Sequence, residues 1–217
     1  MECGLVDRFI EKRVALSKLN FSEDYVLEDE FIKLSPLRMQ HVQDLYEISR
    51  DPAIWRYLVE SGFEFQELEA YISTAIENRK VNTEYPFIVF DKITKKYAGT
   101  TRLYEYSEVL KNIKLGHTWY GKEFRGSGLN KRCKFLLFNF VFDTLELERI
   151  GFGVHEFNKL SIWALESIGC TMEGKLRSFV VLPNESDRAD ILLFSLLKNE
   201  WHNEIKELLI NKINSKC

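Results

Sequence analysis

Apolar residues recur along this chain with two different periods, and the changes between them outline a fold. Residues 6–19 place Val6, Phe9, Ile10, Val14 and Leu19 at near-helical spacing, which predicts a short amphipathic helix. EFIKLSPL (30–37) predicts a first strand, ended by Pro36. RMQHVQDLYEISRD (38–51) puts Val42, Leu45 and Ile48 on one helical face, and FQELEAYISTAIENRK (65–80) does the same with Leu68, Ile72, Ala75 and Ile76. From residue 86 the period shortens to two. PFIVFDKITKKYAGTTRLYEYS (86–107) predicts two strands around a turn at Asp91 to Lys96. KNIKLGHTWY (111–120) predicts a third, with Ile113, Leu115, His117 and Trp119 on one side and Lys114, Gly116, Thr118 and Tyr120 on the other.

LNKRCKFLLFNFVFD then returns to a helical reading, its Phe-rich 135–142 run facing the core. RIGFGVHEF (149–157) is a strand with Ile150, Phe152 and Val154 on one face and Gly151, Gly153 and His155 on the other. Glycine inside a strand usually marks the close approach of a ligand or another backbone. KLSIWALESIG (159–169) is a helix stopped by Gly169, with Trp163 read as core, and a turn through Gly174 leads to the last strands at 179–183 and 189–201. NEIKELLINKI closes with a helix. Helices alternating with strands around a central hairpin predict a mixed α/β (α+β) architecture, with helices on both faces of one sheet.

Composition narrows the class. The chain has 217 residues, 45% hydrophobic and 29% charged, and a net charge of −3. That suits one domain, and a nucleic-acid partner is not expected without a broader basic footprint. Cys3, Cys133, Cys170 and Cys217 are far apart and form no C-x-x-C pair, so neither a disulfide framework nor a metal site is expected. Charges at Asp7, Arg8, Glu11, Lys12 and Arg13 interrupt any apolar leader, and no run is long enough to span a bilayer. A cytoplasmic setting is the expectation.

One local feature conflicts with simple helix electrostatics. GKEFRGSGLNKRCK (121–134) gathers Lys122, Arg125, Lys131, Arg132 and Lys134 around a Gly-Ser-Gly turn, with Glu123 as the one carboxylate. A helix N-terminus is already positive, and each cation there costs roughly 0.3–1 kcal/mol. A bound anion would resolve the conflict, because free N–H groups at such a turn favour phosphate. The stretch lacks the Lys-Ser/Thr ending of a P-loop, and Lys131 stands where a dinucleotide fingerprint needs its third glycine. What remains is either a G-x-G turn that receives a pyrophosphate or an ordinary glycine turn with solvated lysines.

Taken in order, LGHTWYGKEFRGSGLN, LLFNFVFDTLELERI, FNKLSIWALESIGCTMEGKLR and DILLFSLLKNEW resemble the GNAT superfamily of acyl-CoA N-acetyltransferases. The N-x-x-S at Asn158 to Ser161 and the E-G-x-L-R at Glu173 to Arg177 resemble its ribosomal-protein-alanine branch. The resemblance implies a GNAT-like domain over 25–217 behind an N-terminal helical extension (1–24). Its sheet would be mixed and mostly antiparallel, of about six to seven strands, splayed in the middle. It implies acetyl-CoA as cosubstrate, no metal, and direct transfer of the acetyl group to a primary amine, a protein N-terminus or a small molecule. Trp119 and Tyr120 would offer main-chain groups to the pantetheine arm; Arg125, Gly126, Ser127, Gly128, Leu129 and Asn130 would hold the diphosphate; Asn158 would bond the arm and Ser161 lie near the sulfur.

Departures from the pattern bear on the chemistry. Leu165 occupies the position where many members carry a proton-donating Tyr, so Ser161 is the candidate acid; Lys114 stands where a carboxylate is common. His117, with Glu105 as the alternative, is the candidate base, and His155 is the other histidine beside the cleft. Asn158 and Ser161 also fit a plain helix cap. The competing expectation is a catalytically weak acyl-CoA-binding module of the same fold. A homodimer through the terminal helices is possible on this sequence.

Overall fold

The changes of period fall at element boundaries in the computed structural model, which describes residues 18–181 and 188–215. The helix expected at 6–19 lies outside these residues apart from Lys18 and Leu19, as do the last two residues of FVVLP. The strands are β1 (Leu27–Glu28), β2 (Ile32–Pro36), β3 (Glu84–Asp91), β4 (Lys96–Ser107), β5 (Asn112–Tyr120), β6 (Arg149–His155), β7 (Thr171–Val181) and β8 (Arg188–Leu197). The helices are α1 (His41–Ser49), α2 (Pro52–Trp55), α3 (Phe65–Lys80), α4 (Leu129–Asn139), α5 (Lys159–Ser167), α6 (Lys198–Glu200) and α7 (Lys206–Asn214). One turn of π-helix extends α4 over Phe140–Thr144, and another joins α6 to α7.

The longest helix, α3, forms for a local reason and buries one stripe. Glu64 and Glu67 make a reciprocal capping box at the start of α3, and Arg79 and Lys80 occupy its last turn, where cations suit the dipole. Leu68, Tyr71, Ile72 and Ala75 then face the sheet. They join Leu37, Val42, Leu45, Trp55, Ile88 and Trp119 in a core on one side. The opposite face carries the larger core, where Phe138, Phe142, Trp201 and Leu209 of α4 and the closing helices meet Phe87, Leu103, Ile150, Phe152 and Phe194 of the strands.

All eight strands form one sheet in the order β1-β2-β3-β4-β5-β6-β8-β7. The pairings are antiparallel except for β5 with β6. The count exceeds the expected six to seven because β1 is only two residues long, too short to leave a periodic signature. The turn expected at Gly174 is absent. β7 runs on through it, absorbing register shifts between Met172 and Gly174 and between Leu176 and Val180. Trp163 is also not core: it stands 60% exposed on the outer side of α5.

Two departures from regular pairing shape the centre. β5 and β6 pair over three positions only, Asn112 with Arg149, Ile113 with Ile150 and Lys114 with Gly151. Beyond these the ladder stops, while β6 stays paired with β8 along its whole length. The two strands therefore form a fork, open at Tyr120 and His155. The second departure is a bulge on β5. Arg102 pairs with Gly116 and Thr100 with Trp119, so β5 carries one residue more than β4 across this interval. His117 takes up the bulge in a left-handed conformation, φ +48°. The extra residue inverts the alternation: Ile113, Leu115 and Tyr120 lie in the larger core, and Trp119 lies in the other. The single face expected for Ile113, Leu115, His117 and Trp119 is thus broken at His117.

Candidate active site

At the open end of the fork the chain leaves β5, makes a 3-10 turn (Lys122–Phe124) and enters α4 through Gly126, Ser127 and Gly128. Gly126 has φ +75° and Gly128 φ +93°, and a Cβ built at either would meet nothing within 4 Å among the described residues. Backbone conformation, more than crowding by those residues, disfavours a side chain there. Ser127 Oγ donates to the Phe124 carbonyl at 2.7 Å and accepts the Leu129 N–H at 3.3 Å, which fixes the turn. The N–H groups of Ser127, Gly128 and Asn130 meet no acceptor among the described residues. Three N–H donors at a helix start without an acceptor among the described residues suit an anion such as a diphosphate.

The cations around this turn have other partners. Arg125 pairs with Asp51 at 2.8 Å and donates Nε to the Tyr120 carbonyl at 2.9 Å. Arg132 pairs with Asp29 at 3.1 Å and lies over the Phe31 ring. Lys134 is buried beneath the fork, its Nζ 3.5 Å from Thr118 Oγ1 and above the Phe152 ring. Burial pushes this ammonium down to about 8. Arg125, Arg132 and Lys134 thus each engage protein partners around a turn whose backbone N–H groups at Ser127, Gly128 and Asn130 have none among the described residues.

The arm-binding expectations divide in the same way. Gly121 donates its N–H to the Ala98 carbonyl, and the Trp119 carbonyl lies against Gly99, so Trp119 turns its main chain toward β4. The edges of a strand alternate, which leaves Tyr120 facing the gap. Trp119 instead contributes its ring to the core, 5.4 Å from Trp55. The Tyr120 hydroxyl reaches Asn130 Oδ1 at 3.3 Å, and Leu129 is core. Asn158 caps α5, its Oδ1 accepting the Ser161 N–H at 3.2 Å. The Ser161 hydroxyl makes no hydrogen bond among the described residues. A Cβ at Gly151 or Gly153 would meet its nearest side chain at an ordinary 3.4 Å, so neither glycine is imposed by protein packing.

The structure separates the two candidate bases. Glu105 is exposed and pairs with Lys114 at 2.6 Å. His117 is at the bulge, but burial, with Arg102 adding to it, pushes its imidazole down to about 4, which makes it a weak proton acceptor. His155, at the tip of β6, is 3% exposed. Its Nδ1 accepts the Phe157 N–H, so the proton resides on Nε2, which is buried and meets no acceptor in the structure. Cys133 and Cys170 are buried free thiols pushed up to about 12, unsuited to nucleophilic work.

Sequence reading missed a buried polar group on the α3 side of the fork. Arg102, 1% exposed, pairs with Glu84 at 2.9 Å and stacks over Tyr71, with Glu60 Oε2 at 3.7 Å. An arginine within an apolar strand was the available signal, since a buried guanidinium requires carboxylates nearby. Among the described residues no group of three or more His, Cys, Asp or Glu could hold a metal, and no helix is long and apolar enough to cross a membrane.

Comparison with known proteins agrees with this geometry. YdaF of Bacillus subtilis (strain 168), provisionally named a ribosomal N-acetyltransferase, is 31% identical over 106 residues, 49% of this chain and 56% of that protein; the chain thus spans little more than half of that relative. The crystal structure of a GCN5-related N-acetyltransferase from Brucella melitensis superposes with a TM-score of 0.80 at 26% identity, over 88% of this chain and 86% of the other. The fold is also that of Mycobacterium smegmatis RimJ, solved with CoA-disulfide, at a TM-score of 0.72 and 16% identity over 87% and 93% of the two chains. The model of the acetyltransferase (GNAT) domain matches residues 32–171, more than half of the sequence, and the chain belongs to that family.

Proposed function

We propose that this protein is an acetyl-CoA-dependent N-acetyltransferase that passes the acetyl group directly to a primary amine. The observation that carries the reading is the cradle at Ser127, Gly128 and Asn130, opening onto a fork whose two strands have ceased to pair. The diphosphate of acetyl-CoA is held by those N–H groups, and the pantetheine arm lies along the free edge of β5 at Tyr120. The Asn158 amide bonds the arm. Ser161, whose hydroxyl has no competing partner among the described residues, donates to the departing thiolate. His117 lines the acceptor side as a neutral group. Positioning two reactants in this way supplies effective molarities of ~10⁵–10⁸ M, more than any single proton transfer contributes.

The acceptor is proposed to be a protein N-terminus, as the name of the YdaF relative suggests. Incubation of protein and acetyl-CoA with N-terminal peptides of ribosomal proteins and with polyamines, followed by mass spectrometry, tests this. Acetylated α-amino groups are expected. Acetylation confined to polyamines would overturn the acceptor assignment, and the lack of any acetyl-CoA binding by calorimetry would overturn the reading as a whole.

A further inference from the structure

The segment from Tyr57 to Glu60 touches both prongs of the fork. The Tyr57 ring lies 5.0 Å from the His155 ring at the tip of β6. Glu60 Oε2 lies 4.0 Å from Nδ1 of His117 at the β5 bulge. The segment thus bridges the two prongs, with Glu60 on the β5 side of the gap beside the His117 bulge. Its neighbours hold the segment in place. Gly62 lies against the Trp55 indole, where a Cβ would come within 2.5 Å of Cη2, and Ser61 Oγ donates to Glu67 of the α3 capping box at 2.5 Å.

The two carboxylate oxygens of Glu60 differ. Oε2 is buried and accepts no hydrogen bond, while the side chain as a whole is 38% exposed, which leaves Oε1 toward the open groove. The groups facing it are Arg102 of β4 at 3.7 Å, His117 of β5, Glu84 of β3 and Tyr71 of α3. Burial raises the Glu60 carboxyl above its ordinary range; Arg102 opposes the shift and Glu84 adds to it. A carboxylate with one buried oxygen beside Arg102 and a partly exposed side chain can take up a proton from a group entering the groove.

We infer that Glu60 accepts the proton of the attacking amine and that Arg102 is the residue positioning it. This rests on the N-acetyltransferase reading. The substrate ammonium gives one proton to Glu60 Oε1, and the freed lone pair forms the N–C bond as the carbonyl π pair moves to oxygen. Collapse breaks the C–S bond, with its electron pair leaving on sulfur, and the nitrogen loses its second proton to become the amide. One of the two protons ends on the thiolate and the other in solvent.

The test compares wild type, Glu60→Gln and Glu60→Asp, using an Ala-initiated peptide, spermidine and hydroxylamine as probes, with acetyl-CoA affinity measured by calorimetry. Glu60→Gln is expected to lower kcat for whichever charged amine the wild type accepts by roughly 10²–10³-fold and to remove the acid limb of kcat/KM. Acetyl-CoA affinity should stay within twofold. Hydroxylamine, already neutral at pH 7, should be affected far less, and Glu60→Asp should recover part of the rate. Wild-type kinetics in Glu60→Gln would overturn the inference while leaving the function intact, whereas loss of acetyl-CoA binding by the wild type would remove the function itself. A carbon-13 NMR titration of Glu60, assigned with the Gln variant, needs no acceptor. An elevated carboxyl supports the inference and an ordinary one overturns it.

Discussion

At the residue scale, the cradle depends on two left-handed glycines. Gly126→Glu and Gly128→Glu place both a Cβ and a negative charge where φ is +75° and +93°. Each should abolish measurable acetyl-CoA binding by calorimetry while leaving the folded state detectable by circular dichroism; unchanged affinity would disprove the cradle. Lys134 makes a second residue-scale prediction. Its ammonium is pushed down to about 8 by burial, so the folded chain loses this proton before the unfolded chain does. Stability is therefore lowered at pH 7 and rises as the pH climbs from about 8 toward 10.5, the interval in which the unfolded state binds more protons. Lys134→Met should gain on the order of 1–3 kcal/mol at pH 7 and lose the alkaline rise, as read by urea unfolding at pH 7 and 9.5. These roles were only partly legible. The Gly-Ser-Gly turn is visible in the sequence, but the partners of the cations around it include Asp29 and Asp51, distant in sequence and adjacent in space.

At the element scale, α4 is both the floor of the fork and the centre of the larger core. Phe138 is wholly buried, with ring contacts to Phe142, Phe152 and Trp201. Phe138→Ala should cost about 3–5 kcal/mol by urea unfolding, with an unchanged m-value. Helix boundaries were readable because capping and a 3.6-residue stripe are local properties. The α3 limits expected from the pattern coincide with those observed, Phe65–Lys80. The β5 alternation misled beyond Gly116 because a bulge is set by pairing with β4, and its sign, a left-handed His117, is not written in residue type. Trp163 misled for a related reason. Its helical spacing shows which face it shares, not whether that face is covered.

For the whole molecule, the fork is the feature on which the proposed binding site depends. It should respond as one unit to acetyl-CoA. A ligand at 100 times its Kd stabilises the native state by about 2.7 kcal/mol. For a domain of this size that corresponds to a rise in melting temperature of roughly 5–11 °C. Thermal shift measurements should show it, and hydrogen exchange should localise the protection to the 120–130 segment and β6. Protection confined to a site elsewhere would dissociate ligand binding from the fork.

The sequence by itself determined the periodic elements, the class of sheet and the glycine turn at the start of α4, because helix stripes, strand alternation and glycine turns are encoded within a few residues of one another. Only the tertiary structure decided which residues line the fork. The parting of β5 from β6, the inversion at His117 and the approach of Glu60 to Arg102 arise from pairings between segments tens of residues apart, whose free energy depends on contacts that no local pattern records.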